Sequence, residues 1–492
     1  MDLIRRHLLW LALAVQVLLM LPRLDLLPQW DDERHTLKTA GLPPARIVRA
    51  VQVDVHPPLY FFLVKAWWKL PLPGDRLVQT RALSVAATLA ATVVFGRLWL
   101  RRLEWTRQAL FLALWVASPC LVLYGRMARS YALQALVALV AIRYAVDWLR
   151  EPENRRAEAG FAAFSALLLY LHYLPGLAVL ASTTALGLWR GEWRRLRALG
   201  WIGLLYLPWI VTLVRTAGRV AEAEPYRVGG NWMLENALKL GYAFVAFQFG
   251  ETVPVWAWAA ALALLPAIGA ALWRAWRRSA HAPTLFLALA GVGYFVAASW
   301  VSFAFVGARL LFLLPFYYLF LVRGLDMTRP VGVLTMVGLL AVAVGGLGSY
   351  YRKQDFLNKG YLVDFDQIGR DVLAQTAGES AYVLLDRFCS SAGYTLHGPS
   401  VQYLKTVTNA ADLREALDGI ARDWPARVWH VRYTRQAAVP DHLEPRLARD
   451  YQVVRHGYVP YSTLDRAAMR LIGFAAQPAY VVEAVEFRRF RR

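Results

Sequence analysis

Trp30-Asp31-Asp32-Glu33-Arg34 and, further along the same loop, Asp54-Val55-His56-Pro57-Pro58-Leu59-Tyr60 decide how this chain is read. The first run follows an apolar segment directly, and apolar sequence surrounds the second. Three consecutive carboxylates beside apolar sequence are costly at a bilayer surface unless something solvates or uses them. Two readings follow. Either this is a solvated loop whose charges stop a helix, or it is the working edge of a membrane-embedded enzyme. The rest of the chain weighs between them.

The chain has 492 residues, 58% of them hydrophobic, with 20 Trp and only 18% charged. Its mean hydropathy is +0.36. A typical soluble domain carries about 25% charge, so the composition is that of a polytopic membrane protein with some soluble mass. The net charge is +21, from 55 basic and 34 acidic residues. Cytoplasmic loops retain Lys and Arg, so this excess is first a topology signal. The basic residues lie in short inter-helix loops and form no continuous stripe, which argues against nucleic acid as a partner. Two cysteines, Cys120 and Cys389, exclude a disulfide framework and a Cys-based metal site. Arg5-Arg6 before the apolar run from His7 to Leu21, with no small-x-small cleavage site, reads as an uncleaved signal anchor. That places the N-terminus inside and Asp31–Glu33 outside.

A helix needs about 20 residues to cross the hydrocarbon. Candidates are 7–27, 81–100, 108–125, 130–149, 197–215, 253–274, 283–305, 307–325 and 330–349. Loop charge decides two further regions. Residues 57–70 are apolar but contain Lys65 and Lys69, and are expected to lie as a helix in the outer interface. Residues 160–190 are expected to split at His172-Tyr173-Leu174-Pro175-Gly176 into two short helices. The result is an α-helical polytopic protein of about eleven spans plus interfacial helices. Every strongly basic loop is then cytoplasmic, as the positive-inside rule requires. Arg126, Arg129 and Arg309 fall on the outer face against that rule, so they need another reason to be there.

From about Tyr350 the sequence turns mixed and polar. Residues 1–350 read as the transmembrane domain and 351–492 as a small extracytoplasmic α/β domain. Ala381–Asp386, Ala426–Tyr433 and Tyr480–Phe487 read as strands. Ala410–Trp424 reads as a helix with Asn409 as N-cap and a stripe at Leu413, Leu417 and Ile420.

The outer face thus collects Asp31, Asp32, Glu33, Asp54 and His56 on one loop, and Arg126, Arg129 and Arg309 on neighbouring helix ends. Carboxylates serve as general bases, and guanidinium groups grip phosphate in a bidentate way. Tyr and Trp around them suit a sugar. Glycosyl transfer from a polyprenyl phosphate uses all three, and no nucleotide is needed outside the cell.

Asp-Glu after the first helix, followed by Asp54-x-His56-Pro57-Pro58-Leu59-Tyr60, resembles the polyprenyl-phosphate-sugar glycosyltransferases of the GT-C fold. These include protein O-mannosyltransferases, lipid A aminoarabinose transferases and rhizobial lipopolysaccharide core transferases. The resemblance continues at Ala128-Arg129-Ser130-Tyr131-Ala132-Leu133, at His172-Tyr173 and at Arg309-Leu310-Leu311-Phe312-Leu313-Leu314-Pro315. It implies Asp32 as the essential carboxylate with Glu33 beside it, and Asp31 leaves that assignment open by one residue. It also implies a bacterial inner-membrane enzyme that takes a polyprenyl-phosphate sugar donor and an extracytoplasmic acceptor. The substrate-binding set expected beside the catalytic pair is Asp31, Asp54, His56, Tyr60, Arg126, Arg129, Tyr131, His172, Tyr173 and Arg309. Leu310 departs from the family's Tyr, and the turn near Arg126 lacks the second acid some relatives carry. No firmly held metal or other cofactor is therefore expected, with a divalent metal kept as the alternative.

Blander roles stand beside these. His56 can cap the interfacial helix, Arg129 can pair with Asp32 or Glu33 and hold the loop, and His172 and Tyr173 can be helix-end packing. Two other functions compete with transfer. A transporter or flippase of lipid-linked sugars would carry mid-membrane charges and internal repeats, and neither is visible. A non-catalytic membrane scaffold would tolerate loss of Asp32, Glu33 and Arg129 together.

Overall fold

The computed structural model describes residues 2–53, 56–193, 196–221, 232–278, 307–376, 378–434, 443–471 and 478–490. The chain forms two compact units, one of Met1–Leu26 with His35–Leu357 and one of Leu27–Arg34 with Asn358–Arg492.

The first unit is helical. Its elements are α1 (Asp2–Met20), α2 (Asp31–Gly41, whose first turn belongs to the second unit), α3 (Pro44–Val53), α4 (Leu59–Trp67) and α5 (Arg76–Leu98). Then come α6 (Trp105–Ala117), α7 (Pro119–Gly125), α8 (Tyr131–Arg150), α9 (Arg155–Leu171), α10 (Tyr173–Trp189) and α11 (Leu196–Ala221). After α12 (Trp232–Phe249) and α13 (Ala257–Arg278), a 3-10 turn, Gly307–Leu313, leads into α14 (Leu314–Gly324) and α15 (Pro330–Tyr351).

Among the described residues five helices are long and apolar enough to cross a membrane, or six if the bent pair α6–α7 is one span. Three shorter apolar helices, His7–Met20, Tyr173–Trp189 and Leu196–Thr212, accompany them. The expected span at 283–305 lies outside the described residues. The expected span 108–125 bends by 54° between α6 and α7. Ser118 stands at that break and accepts the Leu121 N–H at 3.2 Å, with Pro119 opening the next helix where its missing N–H is harmless. The chain also breaks at His172, whose extended backbone (φ −168°) separates α9 from α10. Between α1 and α5 lie three short helices, α2 to α4, and α4, which falls in the expected interfacial helix 57–70, has only nine residues, too few to cross.

Helices pack in apolar surroundings only when buried polar groups find partners. α5 is rich in Ala, Ser and Thr for this reason. Thr92 donates to Gln16 Oε1 at 2.8 Å and accepts from Trp115 Nε1 at 2.8 Å. Ser84 donates to the Met127 carbonyl at 2.6 Å and so pins the turn between α7 and α8. Gly125 closes α7 because a Cβ there would come within 2.5 Å of Met20 and 2.8 Å of Thr88.

The second unit is built on a five-stranded sheet of β1 (Ala381–Asp386), β2 (Val401–Val407), β3 (Arg427–Tyr433), β4 (Tyr451–Pro460) and β5 (Tyr480–Arg489). The order is β2-β1-β3-β5-β4. β1 is parallel to both neighbours, whereas β5 is antiparallel to β3 and β4. Every residue of β1 is buried, as expected of a central strand covered on both faces. One face packs α16 (Phe365–Gln375) through Phe365, Ile368 and Val372 onto Val383, Leu385, Trp429 and Val431. The other packs α17 (Ala410–Asp423) through Leu413, Ala416 and Ile420 onto Tyr382, Leu384 and Val428. Asn409 caps α17 as expected, accepting from Ala411 N at 2.8 Å and Asp412 N at 3.0 Å. The strands read from sequence are β1, β3 and β5. The partly exposed β2 and β4 escaped that reading because Lys405, Arg455 and His456 interrupt their apolar pattern.

Candidate functional site

The acidic run lies in a helix, not a loop. Asp31, Asp32 and Glu33 form the first turn of α2, where free backbone N–H groups and the helix dipole favour negative charge. Glu33 reaches back to the Trp30 N–H at 3.5 Å, closing the turn in the manner of a capping box. Its side chain is fully buried. Asp31 is half-buried. Loss of water lifts its carboxyl above the usual range, a hydrogen bond from Ser391 pulls it back, Asp32 adds to the rise and Arg34 opposes it.

The first unit gathers cations from distant segments. Arg129, in the turn between α7 and α8, is 8% exposed and donates to Thr36 Oγ1 at 3.1 Å. Thr36 is three residues from Glu33 and four from Asp32, and such positions share one face of a helix. One residue earlier, the His35 ring lies 5.6 Å from that of His56 and 5.7 Å from that of Phe61. His172, at the α9–α10 break, accepts the Leu174 N–H on Nδ1 at 3.2 Å. Burial holds it well below the ordinary histidine range, and the neighbouring Arg309, His56 and Arg129 side chains push it further down. His172 is therefore uncharged at neutral pH. The same interactions mean that Arg309, His56 and Arg129 bear on one place, from the 3-10 turn, from the segment before α4 and from the α7–α8 turn.

Arg126 is placed differently. Its guanidinium donates to the carbonyls of Pro22, at 2.8 Å, and Arg23, and to the Tyr351 hydroxyl at 3.2 Å, with the rings of Tyr350 and Tyr351 each 5.4 Å from it. Those bonds tie the end of α1 to the end of α15. Lys65 donates to the carbonyls of Ala40 and Leu42, which end α2, and Arg81 donates to the Leu24 carbonyl at 2.6 Å. Tyr131 and Tyr60 are buried, Tyr131 edge-on to Tyr124 at 6.1 Å and Tyr60 beside Phe61. The Tyr173 hydroxyl accepts from Trp209 Nε1 at 2.9 Å. His56 does not cap α4, whose N-cap is Pro58. Asp54 lies outside the described residues.

Three residues escaped the sequence reading. His35 and Thr36 follow the acidic run at helical spacing, so reading 31–41 as a helix would have found them. Glu251, in the bend after α12, is fully buried, and neither carboxylate oxygen has a hydrogen-bond partner among the described residues. Burial pushes its carboxyl up to about 8. Nothing in the local sequence separates it from a surface acid. Among the described residues no group of three or more His, Cys, Asp or Glu side chains is placed to hold a metal ion.

No family model and no curated protein matches the sequence. Solved structures do. ArnT from Cupriavidus metallidurans bound to undecaprenyl phosphate matches with a TM-score of 0.52 at 15% identity, covering 97% of each chain. The apo state of that protein matches with a TM-score of 0.49 at 13% identity, covering 87% of each chain. The chain has the ArnT fold. That is the GT-C fold, and the likeness runs through the helical unit and the small C-terminal sheet domain alike.

Proposed function

We propose that the chain is an inverting glycosyltransferase of the GT-C type, moving a sugar from a polyprenyl-phosphate-linked donor to an extracytoplasmic lipid, glycan or protein acceptor. The observation that carries this reading is buried Arg129 donating at 3.1 Å to Thr36, on the helix that also carries Asp32, in a chain whose fold matches ArnT over 97% of its length. The ArnT structure that shares the fold holds undecaprenyl phosphate, a ligand of the matching chemistry.

In this reading Asp32 is the general base and Glu33 assists it. The acceptor oxygen forms a bond to the sugar's anomeric carbon as that carbon's bond to the phosphate oxygen breaks. The acceptor's hydroxyl proton passes to Asp32, worth roughly 10²–10⁴-fold. The electron pair of the broken bond leaves with the polyprenyl phosphate, whose growing charge Arg129 and Arg309 stabilise. Uncharged His172 offers a neutral contact to the sugar and adds no competing cation. Arg126 sits outside this step and holds helix ends. The protein lies in a bacterial inner membrane with its N-terminus cytoplasmic and its sheet unit outside.

The test is mass spectrometry of membrane lipids from cells lacking the protein, with wild-type or Asp32→Asn copies restored. A polyprenyl-phosphate sugar should accumulate without the protein, clear with the wild-type copy and persist with Asp32→Asn. Clearance by the Asp32→Asn copy removes Asp32 from the mechanism.

A further inference from the structure

The short segment Leu27–Arg34 belongs to the sheet-containing unit, although some 320 residues separate it from the rest of that unit. The interactions that hold it there include these four. The Trp30 ring meets the Tyr361 ring edge-on, centroids 5.3 Å apart. Arg34 Nη2 donates to Asp366 Oδ1 at 2.7 Å. The Arg34 guanidinium also lies 5.0 Å from the centre of the Tyr394 ring. Asp31 accepts a hydrogen bond from Ser391.

Ser391 and Tyr394 belong to the 3-10 segment Arg387–Tyr394, which follows the carboxyl end of β1. Asp366 stands in the first turn of α16. In open α/β sheets the crevice beyond the carboxyl ends of parallel strands is where ligands are presented to loops. Here residues 30–34 of the same chain occupy that region. A half-buried ion pair stacked on an aromatic ring fixes direction better than an exposed pair, because the planar guanidinium has one face and one edge committed at once.

We propose that the sheet unit is a positioning device for the acidic turn, with Arg34 as the positioning residue and Asp366 and Tyr394 as its holders. Arg34 follows Asp31, Asp32 and Glu33 in the same helical turn, so fixing its guanidinium fixes the direction in which the carboxylates leave the helix. A misplacement of about 1 Å at a reacting group is enough to cost on the order of 10²-fold in rate. The proposal rests on the reading of Asp32 as base.

The test uses the full-length chain. Arg34→Ala, Asp366→Ala, the double variant, Arg34→Lys and Asp32→Asn are returned to cells lacking the protein, and consumption of the accumulated polyprenyl-phosphate sugar is timed. Undecaprenyl phosphate binding and hydrogen exchange over residues 27–36 are measured on the purified variants. Arg34→Ala and Asp366→Ala should each slow consumption 10–100-fold, and the double variant should be no slower than the worse single one. Arg34→Lys should recover part of the rate, exchange over 27–36 should rise in both alanine variants, and the Kd for undecaprenyl phosphate should stay within about twofold. Normal consumption by both alanine variants while Asp32→Asn fails overturns the positioning role and leaves the base in place. Slowing that multiplies in the double variant, or that comes with weakened lipid binding, also overturns it. Normal consumption by Asp32→Asn instead overturns the underlying reading.

Discussion

The acidic turn at Asp31–Glu33 and the lone acid Glu251 both lose water on folding, but only the turn is supplied with donors. Asp31 accepts from Ser391 with Arg34 beside it, and Glu33 accepts from the Trp30 N–H. Glu251 has neither oxygen paired among the described residues, and its carboxyl is pushed up to about 8. A buried carboxylate that is hydrogen-bonded can stay available for chemistry, while one that is not keeps its proton. Burial by itself therefore does not set the charge state of a carboxyl, since the partners separate the two cases.

The largest effect that could break this contrast is catalytic. Asp32→Asn should reduce transfer by roughly 10²–10⁴-fold with unchanged expression and melting, whereas Glu251→Gln should keep transfer within about threefold, well inside the scatter of a non-catalytic change. A comparable loss from Glu251→Gln would put Glu251 in the reaction.

The next effect is on stability and has a definite sign. Glu251 rises from about 4.5 to about 8 on folding, so between those values the folded state holds a proton that the unfolded state releases. Stability therefore falls as pH rises through that window, by about 1.4 kcal/mol per pH unit, and the loss is complete above it. Glu251→Gln removes the slope. Its melting temperature in detergent should exceed that of the wild type at pH 8, and the gap should close towards pH 5. Equal pH slopes in the two proteins would mean that Glu251 is paired.

Smaller, and aimed at the cations, is the pair Arg126 and Arg129. Arg126→Lys loses bonds to two backbone carbonyls at the end of α1 and should cost about 1.5–3 kcal/mol of stability with unchanged undecaprenyl phosphate affinity. Arg129→Lys keeps the charge but loses the planar fork and should weaken that affinity about tenfold with little change in melting. Reversed outcomes would exchange the two assignments. Smallest, Asn409→Ala removes a helix cap far from the acidic turn and should cost about 1 kcal/mol with transfer unaltered.

Much of this was legible without coordinates. Hydropathy and loop charge mark a multi-pass helical protein, because a bilayer admits only long apolar helices and sorts their flanking charge. Strands β1, β3 and β5, the α17 stripe with its Asn409 cap, and the break at His172 follow from short-range rules acting within a few residues. The run Asp31–Glu33 and the arginines at 126, 129 and 309 also stand out, as charges set against apolar sequence. Tertiary structure decided the rest. Only long-range contacts give Arg126 the carbonyls of Pro22 and Arg23 and Arg129 the Thr36 hydroxyl, and two arginines three residues apart look alike until their partners are known. Only folding seals Glu251 from water, and only folding enrols Leu27–Arg34 in a unit whose other residues begin at Asn358. Composition and periodicity are properties of neighbours along the chain, whereas burial, pairing and charge state are set by neighbours in space.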